Sequence, residues 1–225
     1  MADAASFDRF AADYDRFASL ERPTILEWLL KQLPASRSRA LDAGCGTGRQ
    51  TLALADRFDQ VVGVDISHPL IDIARRRRLP PNVQYYVEDL MAFVDPDGFD
   101  LVFSSTTLHH LPEIEAALLH LRGLVRPAGT IVLIDNVASR PTPPRWVHVL
   151  GALRHFPVDV RRLGWVDSRW LFTFRTSRMW LEHLASDRYL SRREFERVYG
   201  AAFRGAHFQH LGYAHGLVWR KPANA

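Results

Sequence analysis

Three glycines at every second position constrain this sequence more than any other feature. Gly44, Gly46 and Gly48 follow the strand-like segment Leu41-Asp42-Ala43 and precede a helix-like one. Glycine permits positive φ and a close approach of the backbone to a ligand, and the first turn of a helix offers unpaired N–H groups. The pattern therefore predicts a loop that binds a nucleotide-type cofactor, although a glycine-rich turn alone is equally typical of a tight strand-to-helix connection. A dinucleotide is disfavoured, because its fingerprint needs glycine at position 49, where the chain has arginine.

Acidic residues follow the next two apolar segments. Residues 61–64 have the valine-rich character of a parallel strand buried on both faces, and Asp65 comes next. Asp42, Asp65 and Asp89 are 23 and 24 residues apart (65 − 42 and 89 − 65), the length of a strand, a helix and two turns. Each aspartate alone would suit a helix N-cap or a solvated strand end. Three in succession favour an adenosine site, where Asp65 could accept from ribose hydroxyls and Asp89 from the adenine amine.

An ordered set of motifs extends over residues 7 to 136. After the glycine loop come Val64-Asp65-Ile66-Ser67, Glu88-Asp89-Leu90, Phe99-Asp100-Leu101-Val102, Leu108-His109-His110-Leu111-Pro112 and Leu124-Val125-Arg126-Pro127-Ala128-Gly129-Thr130. In combination they resemble the class I S-adenosylmethionine-dependent methyltransferases, most closely the small-molecule, quinone-methyltransferase-like (type 11) branch. One departure is Ala128, where the family usually has glycine. Alanine suits that turn unless the turn requires positive φ.

The resemblance implies S-adenosylmethionine as cofactor and S-adenosylhomocysteine as product. Gly44, Gly46 and Gly48 would pass under the methionine part of the cofactor, and Asp42 would hold its ammonium directly or through water. Carboxylates near the cations and helix N–H groups near the carboxylate suit such a zwitterion. The other implied contacts are Tyr14 near the carboxylate, Cys45 in the loop with a side chain expected to pack, Asp65 on the ribose, Ile66 on the adenine face, Asp89 and Leu90 on the adenine edge, Ser104 through its carbonyl, and His109.

The alternation of strand and helix segments from residue 38 to 136 predicts an α/β fold with a mostly parallel sheet covered by helices on both faces. We expect helices at 48–58, 68–78 and 112–125, with Pro112 in the first turn of the third. The resemblance implies a Rossmann-like sheet of seven strands with an antiparallel last strand and a helical substrate lid after strand five. The length favours a single domain over 1–225. Its parts would be an N-terminal helix covering the cofactor (1–30), a cofactor-binding core (38–136), the lid (137–190), and a final helix and hairpin (191–225).

The lid segment carries the clues to the acceptor. Its aromatic residues could line a pocket for an aromatic or polycyclic metabolite or simply seat the lid on the sheet, and its arginines could meet a carboxylate or phosphate. Alternating aromatic and basic residues also leave open a contact with a membrane surface. These residues are Trp146, Trp165, Trp170, Phe172, Phe174 and Trp180, with Arg145, Arg154, Arg161 and Arg162.

His109 and His110 are the candidate catalytic residues, because both follow the fourth strand and titrate near neutral pH. Either could remove a proton from the acceptor, with His109 slightly favoured, or could instead be a packing residue. Asp135, His148 and His155 are weaker candidates. A metal-assisted, catechol-type mechanism would need a carboxylate just after the fourth strand, where the chain has Ser-Ser-Thr-Thr. We therefore expect no catalytic metal.

Composition limits the partners and the location. The only cysteine excludes a disulfide framework, and no apolar run approaches the roughly 18 residues that cross a bilayer. With an N-terminus unlike a secretion signal, this predicts a cytoplasmic protein. The run Arg75-Arg76-Arg77-Arg78 closes a predicted helix, where cations complement the helix C-terminus, so we expect no nucleic-acid partner.

The leading hypothesis is a methyltransferase that modifies an O, N or C atom of a small acceptor in specialised metabolism or quinone biosynthesis. The sequence leaves two alternatives open. The chain could bind S-adenosylmethionine without transferring methyl, as a pericyclic or cyclising enzyme or as a non-catalytic partner. A macromolecular acceptor is the third option, disfavoured by an enclosing lid.

Overall fold

The computed structural model describes residues 7–139 and 143–223, and the fold within them is a seven-stranded sheet with helices on both faces. The strands are β1 (Arg39–Ala43), β2 (Gln60–Asp65), β3 (Val83–Val87), β4 (Phe99–Ser105), β5 (Val125–Asn136), β6 (His207–His210) and β7 (Ala214–Arg220). The helices are α1 (Ala11–Leu20), α2 (Thr24–Leu29), α3 (Arg49–Ala55), α4 (His68–Arg77), α5 (Ile114–Leu124), α6 (Arg145–Arg175), α7 (Arg178–Ser186) and α8 (Arg192–Ala202), with a 3₁₀ turn at Leu108–His110.

The strand order is β3-β2-β1-β4-β5-β7-β6. The first five strands run parallel, and β7 pairs antiparallel with both β5 and β6. This confirms the Rossmann-like sheet and its antiparallel last strand. The order reverses between β1 and β4, and in such sheets the ligand binds outside the carboxyl ends of the strands at this reversal. The glycine loop follows β1 and the histidine pair follows β4, so the topology brings them together.

The two faces of the sheet carry separate apolar cores, as expected for parallel strands buried on both sides. One core packs α5 and α8 against the sheet, with Leu118, Phe195 and Phe203 fully buried. The other packs α2, α3 and α4, through residues such as Leu29 and Ile71. At roughly 25 cal/mol per Å² of buried apolar surface, these two layers supply most of the favourable free energy of folding.

Several predicted boundaries are corrected. The helix predicted at 48–58 spans Arg49–Ala55 in the structure. It begins after Gly48 because Gly48 is its N-cap and has a left-handed backbone conformation. The helix predicted from Pro112 begins at Ile114 instead, because the chain first makes the 3₁₀ turn and then extends through Leu111. The last helix, α8, begins with a capping box, in which Ser191 accepts from the backbone N–H of Glu194 and the Glu194 side chain accepts from the backbone N–H of Ser191.

The lid predicted after strand five consists of α6 and α7. Helix α6 is interrupted at Gly164, where φ is 78°, so it folds as two helical arms rather than one rod. Residues 140–142 of the predicted lid and residues 1–6 of the predicted N-terminal segment lie outside the described residues. Within the described residues, no helix is both long enough and apolar enough to cross a bilayer.

Candidate functional site

The glycine loop has the backbone geometry that its sequence predicts. Gly44, Gly46 and Gly48 all have positive φ, at 76°, 53° and 76°. A Cβ on Gly44 would lie 2.2 Å from the hydroxyl oxygen of Thr107, whereas one on Gly46 would meet only Tyr14, at 3.9 Å. The loop therefore packs tightly against the segment after β4 at Gly44 and has room for a ligand at Gly46.

Asp65 ties this loop to the end of β2. One carboxylate oxygen accepts from the backbone N–H of Gly46 at 2.8 Å, and the other accepts from the N–H of Ser67 at 2.9 Å. Each oxygen keeps a second lone pair for a ligand hydroxyl. The next side chain, Ile66, is 55% exposed although it is large and apolar, which leaves an apolar surface beside the carboxylate. Asp65 and Ile66 thus place a charged acceptor beside an apolar surface, and the ribose and adenine contacts that the resemblance implied stay predictions.

Asp42 is almost fully buried beneath the loop, at 2% exposure. The hydroxyl of Thr51 donates to it at 2.6 Å, and within the described residues no ion pair joins it to a cation. Burial raises its pKa to about 7, although the hydrogen bond from Thr51 lowers it. A buried carboxylate without a cation fits a site for the ammonium of a ligand.

The other predicted cofactor residues differ in their environment. Cys45 packs in the core with 5% exposure, and its backbone N–H donates to Val64, as expected of a packing residue. The hydroxyl of Ser104 braces β1 by donating to the carbonyl of Ala43 at 2.7 Å. Asp89 is exposed and accepts from the backbone N–H of Met91, so its side chain forms a turn, and Leu90 beside it is buried.

The N-terminal helix α1 contacts the glycine loop through Tyr14. Tyr14 contacts the Gly46 position and stands close enough to Asp65 for the carboxylate charge to reach it. Burial first, and then that charge, raises the pKa of Tyr14 to about 12, so it stays a hydroxyl donor at neutral pH. A few residues earlier, Asp8 accepts from the hydroxyl of Ser67 at 2.7 Å. This contact closes the helix over the end of β2.

Ion pairs that the sequence analysis did not foresee hold this helix in place. Asp15, 3% exposed, contacts Arg78 at 3.0 Å and also pairs with Arg77 at 2.5 Å. Arg78 also donates to the carbonyl of Thr47 in the glycine loop. The arginine run therefore does more than complement the end of a helix, because it connects the loop to the helix above it.

The helix α1 and the lid pack together through aromatic side chains. Phe17 lies 5.1 Å from Phe174 and 5.0 Å from Trp180 between ring centroids, and Arg16 stacks over Trp170. These residues seat the lid on helix α1 rather than directly on the sheet, the place that the sequence analysis left open for them. Trp146 and Trp165 are 66% and 63% exposed and do not seat the lid.

The predicted arginines of the lid also separate into two groups. Arg162 donates to the carbonyl of Leu20 at 2.6 Å and so fastens α6 to the end of α1. Arg145, Arg154 and Arg161 are exposed.

The histidine pair after β4 lies in a buried polar cluster. His109 Nδ1 is bonded to Asp135 at the end of β5, which also accepts from the hydroxyl of Tyr199 at 3.1 Å. His109 Nε2 is 3.7 Å from Asp187, and His110 Nδ1 is 3.2 Å from the same carboxylate. Burial lowers the pKa of His109, but the two carboxylates outweigh it and leave that pKa raised.

Two residues of this cluster come from the lid and were missed in the sequence. Asp187 follows α7, and its carboxylate also accepts from the hydroxyl of Tyr189 at 2.8 Å. His183 lies on the same helix, one turn before, with Nε2 3.9 Å from Asp187. Burial, with the nearby imidazoles, lowers the pKa of His183 to about 4. Their only signal in the sequence is the His-x-x-x-Asp spacing near the end of a predicted lid helix.

Of the weaker candidates, Asp135 belongs to this cluster, whereas His148 lies on α6. Within the described residues the buried Nε2 of His148 has no hydrogen-bond partner. His155 is exposed on α6. The cluster adjoins the glycine loop, because Thr107, directly before the turn at Leu108–His110, donates its hydroxyl to the carbonyl of Gly44 at 3.4 Å.

The geometry agrees with comparisons to known proteins. Residues 40–129 match the family model described as a methyltransferase domain. An uncharacterized methyltransferase of Mycobacterium bovis is 36% identical over 106 residues, which are 47% of this chain and 54% of that protein. The malonyl-[acyl-carrier protein] O-methyltransferase of Salmonella typhimurium is 32% identical over 132 residues, 58% of this chain and 52% of that protein. The chain thus spans about half the length of these relatives.

A solved structure extends the comparison of the fold to the whole chain. The complex of DhpI with SAH superposes with a TM-score of 0.66 at 19% identity, covering 100% of this chain and 97% of DhpI. This likeness includes the lid and the final hairpin as well as the matched core. Residues 40–129 therefore match a methyltransferase domain, and the chain has the fold of solved S-adenosylmethionine-dependent methyltransferases.

Proposed function

We propose that the chain binds S-adenosylmethionine in the cradle formed by the glycine loop and Asp65, and transfers its methyl group to a small acceptor under the lid. One observation carries the proposal. The cradle and the buried cluster of His109 and His110 adjoin each other, because the hydroxyl of Thr107, two residues before His109, donates to the carbonyl of Gly44 at 3.4 Å. A cofactor site and a polar site for a second reactant thus lie side by side, beneath α1 and the lid.

When bound, the cofactor supplies an electrophilic methyl group, and the protein's main task is to align the acceptor and exclude water. Tyr14 and the aromatic residues of α1 and α7 cover the cradle and supply the exclusion. Asp42 balances a ligand ammonium in a buried place, and Asp65 fixes the ribose end. A role of His109 or His110 as the base stays a prediction. His109 is buried between two carboxylates, so His110 is the more accessible of the two, with 21% of its side chain exposed.

A small acceptor is favoured over nucleic acid. Three members of the basic run, Arg75, Arg77 and Arg78, bind groups of the chain itself, so the run offers little free charge to a phosphate backbone. The reactive cluster also lies beneath α7, because Asp187 and His183 belong to the lid. This cover limits the reaction to a molecule that fits under it.

The test is an incubation with methyl-labelled S-adenosylmethionine and a panel of phenols, quinones, amines and carboxylic acids. The acids are included because the Salmonella relative is named malonyl-[acyl-carrier protein] O-methyltransferase. We expect label in at least one acceptor and S-adenosylhomocysteine in equal amount. Tight cofactor binding with no transfer to any acceptor would favour the second hypothesis, a protein that binds the cofactor without methyl transfer.

A further inference from the structure

Three side chains in the buried cluster present ligand atoms toward a common point. His109, His110 and Asp187 each offer one nitrogen or oxygen, and these atoms all lie within 4.8 Å of one another. His110 Nδ1 and His109 Nε2 are 3.2 and 3.7 Å from the carboxylate oxygens of Asp187. Ligands 2.0–2.1 Å from a tetrahedral ion would be separated by about 3.3–3.4 Å. The spacing of the three groups therefore suits a bound cation.

A second observation at the same place concerns the carboxylate itself. Asp187 is 3% exposed, and its buried Oδ1 has no hydrogen-bond partner among residues 7–139 and 143–223. The nearest imidazole nitrogen, His110 Nδ1, lies 3.2 Å away but does not form a hydrogen bond of acceptable geometry. A buried carboxylate oxygen left unpaired is costly, and binding a cation removes that cost.

The neighbours of the cluster orient the ligands as metal sites require. Asp135 binds His109 Nδ1, which fixes the ring and leaves Nε2 directed toward Asp187. A carboxylate on the second nitrogen of a ligating histidine is a recurrent feature of metal centres. Tyr199 and Tyr189 in turn hold the two carboxylates by hydrogen bonds of 3.1 and 2.8 Å. The first ligand shell is thus supported by a second.

We propose that His109, His110 and Asp187 bind a divalent transition-metal ion of the Zn²⁺ type, with an open coordination position for an acceptor atom. Two imidazoles and one carboxylate form the donor set of such ions, whereas Mg²⁺ and Ca²⁺ take mostly oxygen ligands. The role of the ion rests on the proposed function, because the open position matters only if an acceptor enters beside the cofactor. Metal binding would lower the pKa of an acceptor hydroxyl, so that the hydroxyl would lose its proton to water before methyl transfer and no histidine base would be needed.

This inference revises the expectation of no metal, which considered only residues directly after β4. The missing carboxylate comes instead from Asp187, which the lid brings to the two histidines. His183 lies on the lid side of the same cluster, with Nε2 3.9 Å from Asp187. Because Asp187 itself belongs to the lid, the lid forms a part of the metal site.

The test is a titration of the metal-free protein with Co²⁺ alone, followed by visible absorption. We expect one Co²⁺ per chain with the intense bands of a four- or five-coordinate ion. Asp187→Asn and His110→Ala should weaken binding at least 100-fold, and Asp135→Asn, which alters only the second shell, by about 10–100-fold. The matched control is His207→Ala, which removes an exposed histidine on β6 and should change nothing.

Each outcome is decisive because folding and cofactor binding are measured separately. Circular dichroism and calorimetry with S-adenosylhomocysteine show whether each variant is folded and whether the proposed function still stands. Absence of the Co²⁺ bands in the folded wild type, or equal bands in Asp187→Asn, overturns the metal site. If the protein binds Co²⁺ but does not bind S-adenosylhomocysteine, the metal site stands and the proposed function is contradicted.

Discussion

At the scale of single residues, backbone conformation decides which positions of the family pattern can change. Ala128 lies near the start of β5 and has a φ of 61°, although the resembled family usually has glycine at this position. The turn therefore does require positive φ, which was the condition under which alanine would be unfavourable. A Cβ in the left-handed region costs about 1–2 kcal/mol, so this chain carries local strain at an exposed turn.

We predict that Ala128→Gly stabilises the protein by about 0.5–1 kcal/mol, because relief of strain exceeds the added entropy of the unfolded chain. Urea unfolding followed by circular dichroism measures the change. The matched control is Ala92→Gly, at an exposed turn position where φ is not positive, and it should destabilise slightly. A loss of stability in Ala128→Gly as large as in the control would disprove the strain.

Asp42 makes stability depend on pH, since burial raises its pKa to about 7 in the folded state. The unfolded value is about 4, so the folded state favours the protonated form. The contribution of this group is fully present below about pH 4 and is lost as pH rises to about 7. Relative to Asp42→Asn, the wild-type free energy of unfolding should fall over that range and stay level above it. Urea titrations of both proteins from pH 4 to pH 8 measure the difference, and a constant difference would contradict the assignment.

At the scale of elements, the helix α1 is attached to the core through one buried carboxylate. Asp15 contacts Arg77 and Arg78, and Arg78 reaches the glycine loop. We predict that Asp15→Asn speeds amide exchange in residues 11–20 about 10-fold, which corresponds to about 1.4 kcal/mol of easier local opening. The affinity for S-adenosylhomocysteine should fall severalfold at the same time, because the cover opens more often.

Asp13→Asn is the matched control. It makes the same chemical change two residues away, on the exposed side of the helix. Hydrogen exchange with mass spectrometry compares the two variants. Equal exchange in both would mean that packing of Phe17 and Tyr14, rather than the ion pairs, holds α1 in place.

The elements also show what the sequence could predict. The sheet, the glycine loop and the capped helix α8 follow from local patterns, because each depends on residues within one or two turns of the chain. The contact of Asp187 with His109 and His110 could not be predicted, because it depends on how the lid returns to the sheet. The same holds for Arg78 and Asp15, which lie on helices far apart in the sequence. Local patterns specify elements, whereas the polar site arises from the packing of distant elements.

At the scale of the whole molecule, the reversal of strand order places the cofactor cradle and the reactive cluster at one edge of the sheet. The helix α1 covers the cradle, and the lid helices α6 and α7 contribute to the cluster. Arg175 joins these covers, since it pairs with Glu21 after α1 and with Asp159 within α6. The two covers are therefore mechanically connected, and entry of an acceptor is expected to be coupled to the position of α1.

Calorimetric titration with S-adenosylhomocysteine measures whether the glycine loop and Asp65 form a cofactor site. We predict one site per chain, with affinity about 10–100-fold lower in Asp65→Asn, because an amide removes a charged acceptor from both the loop and the ribose. The exposed Asp56→Asn should bind as the wild type does. No binding to the folded wild type, or equal affinity in Asp65→Asn, would contradict the account.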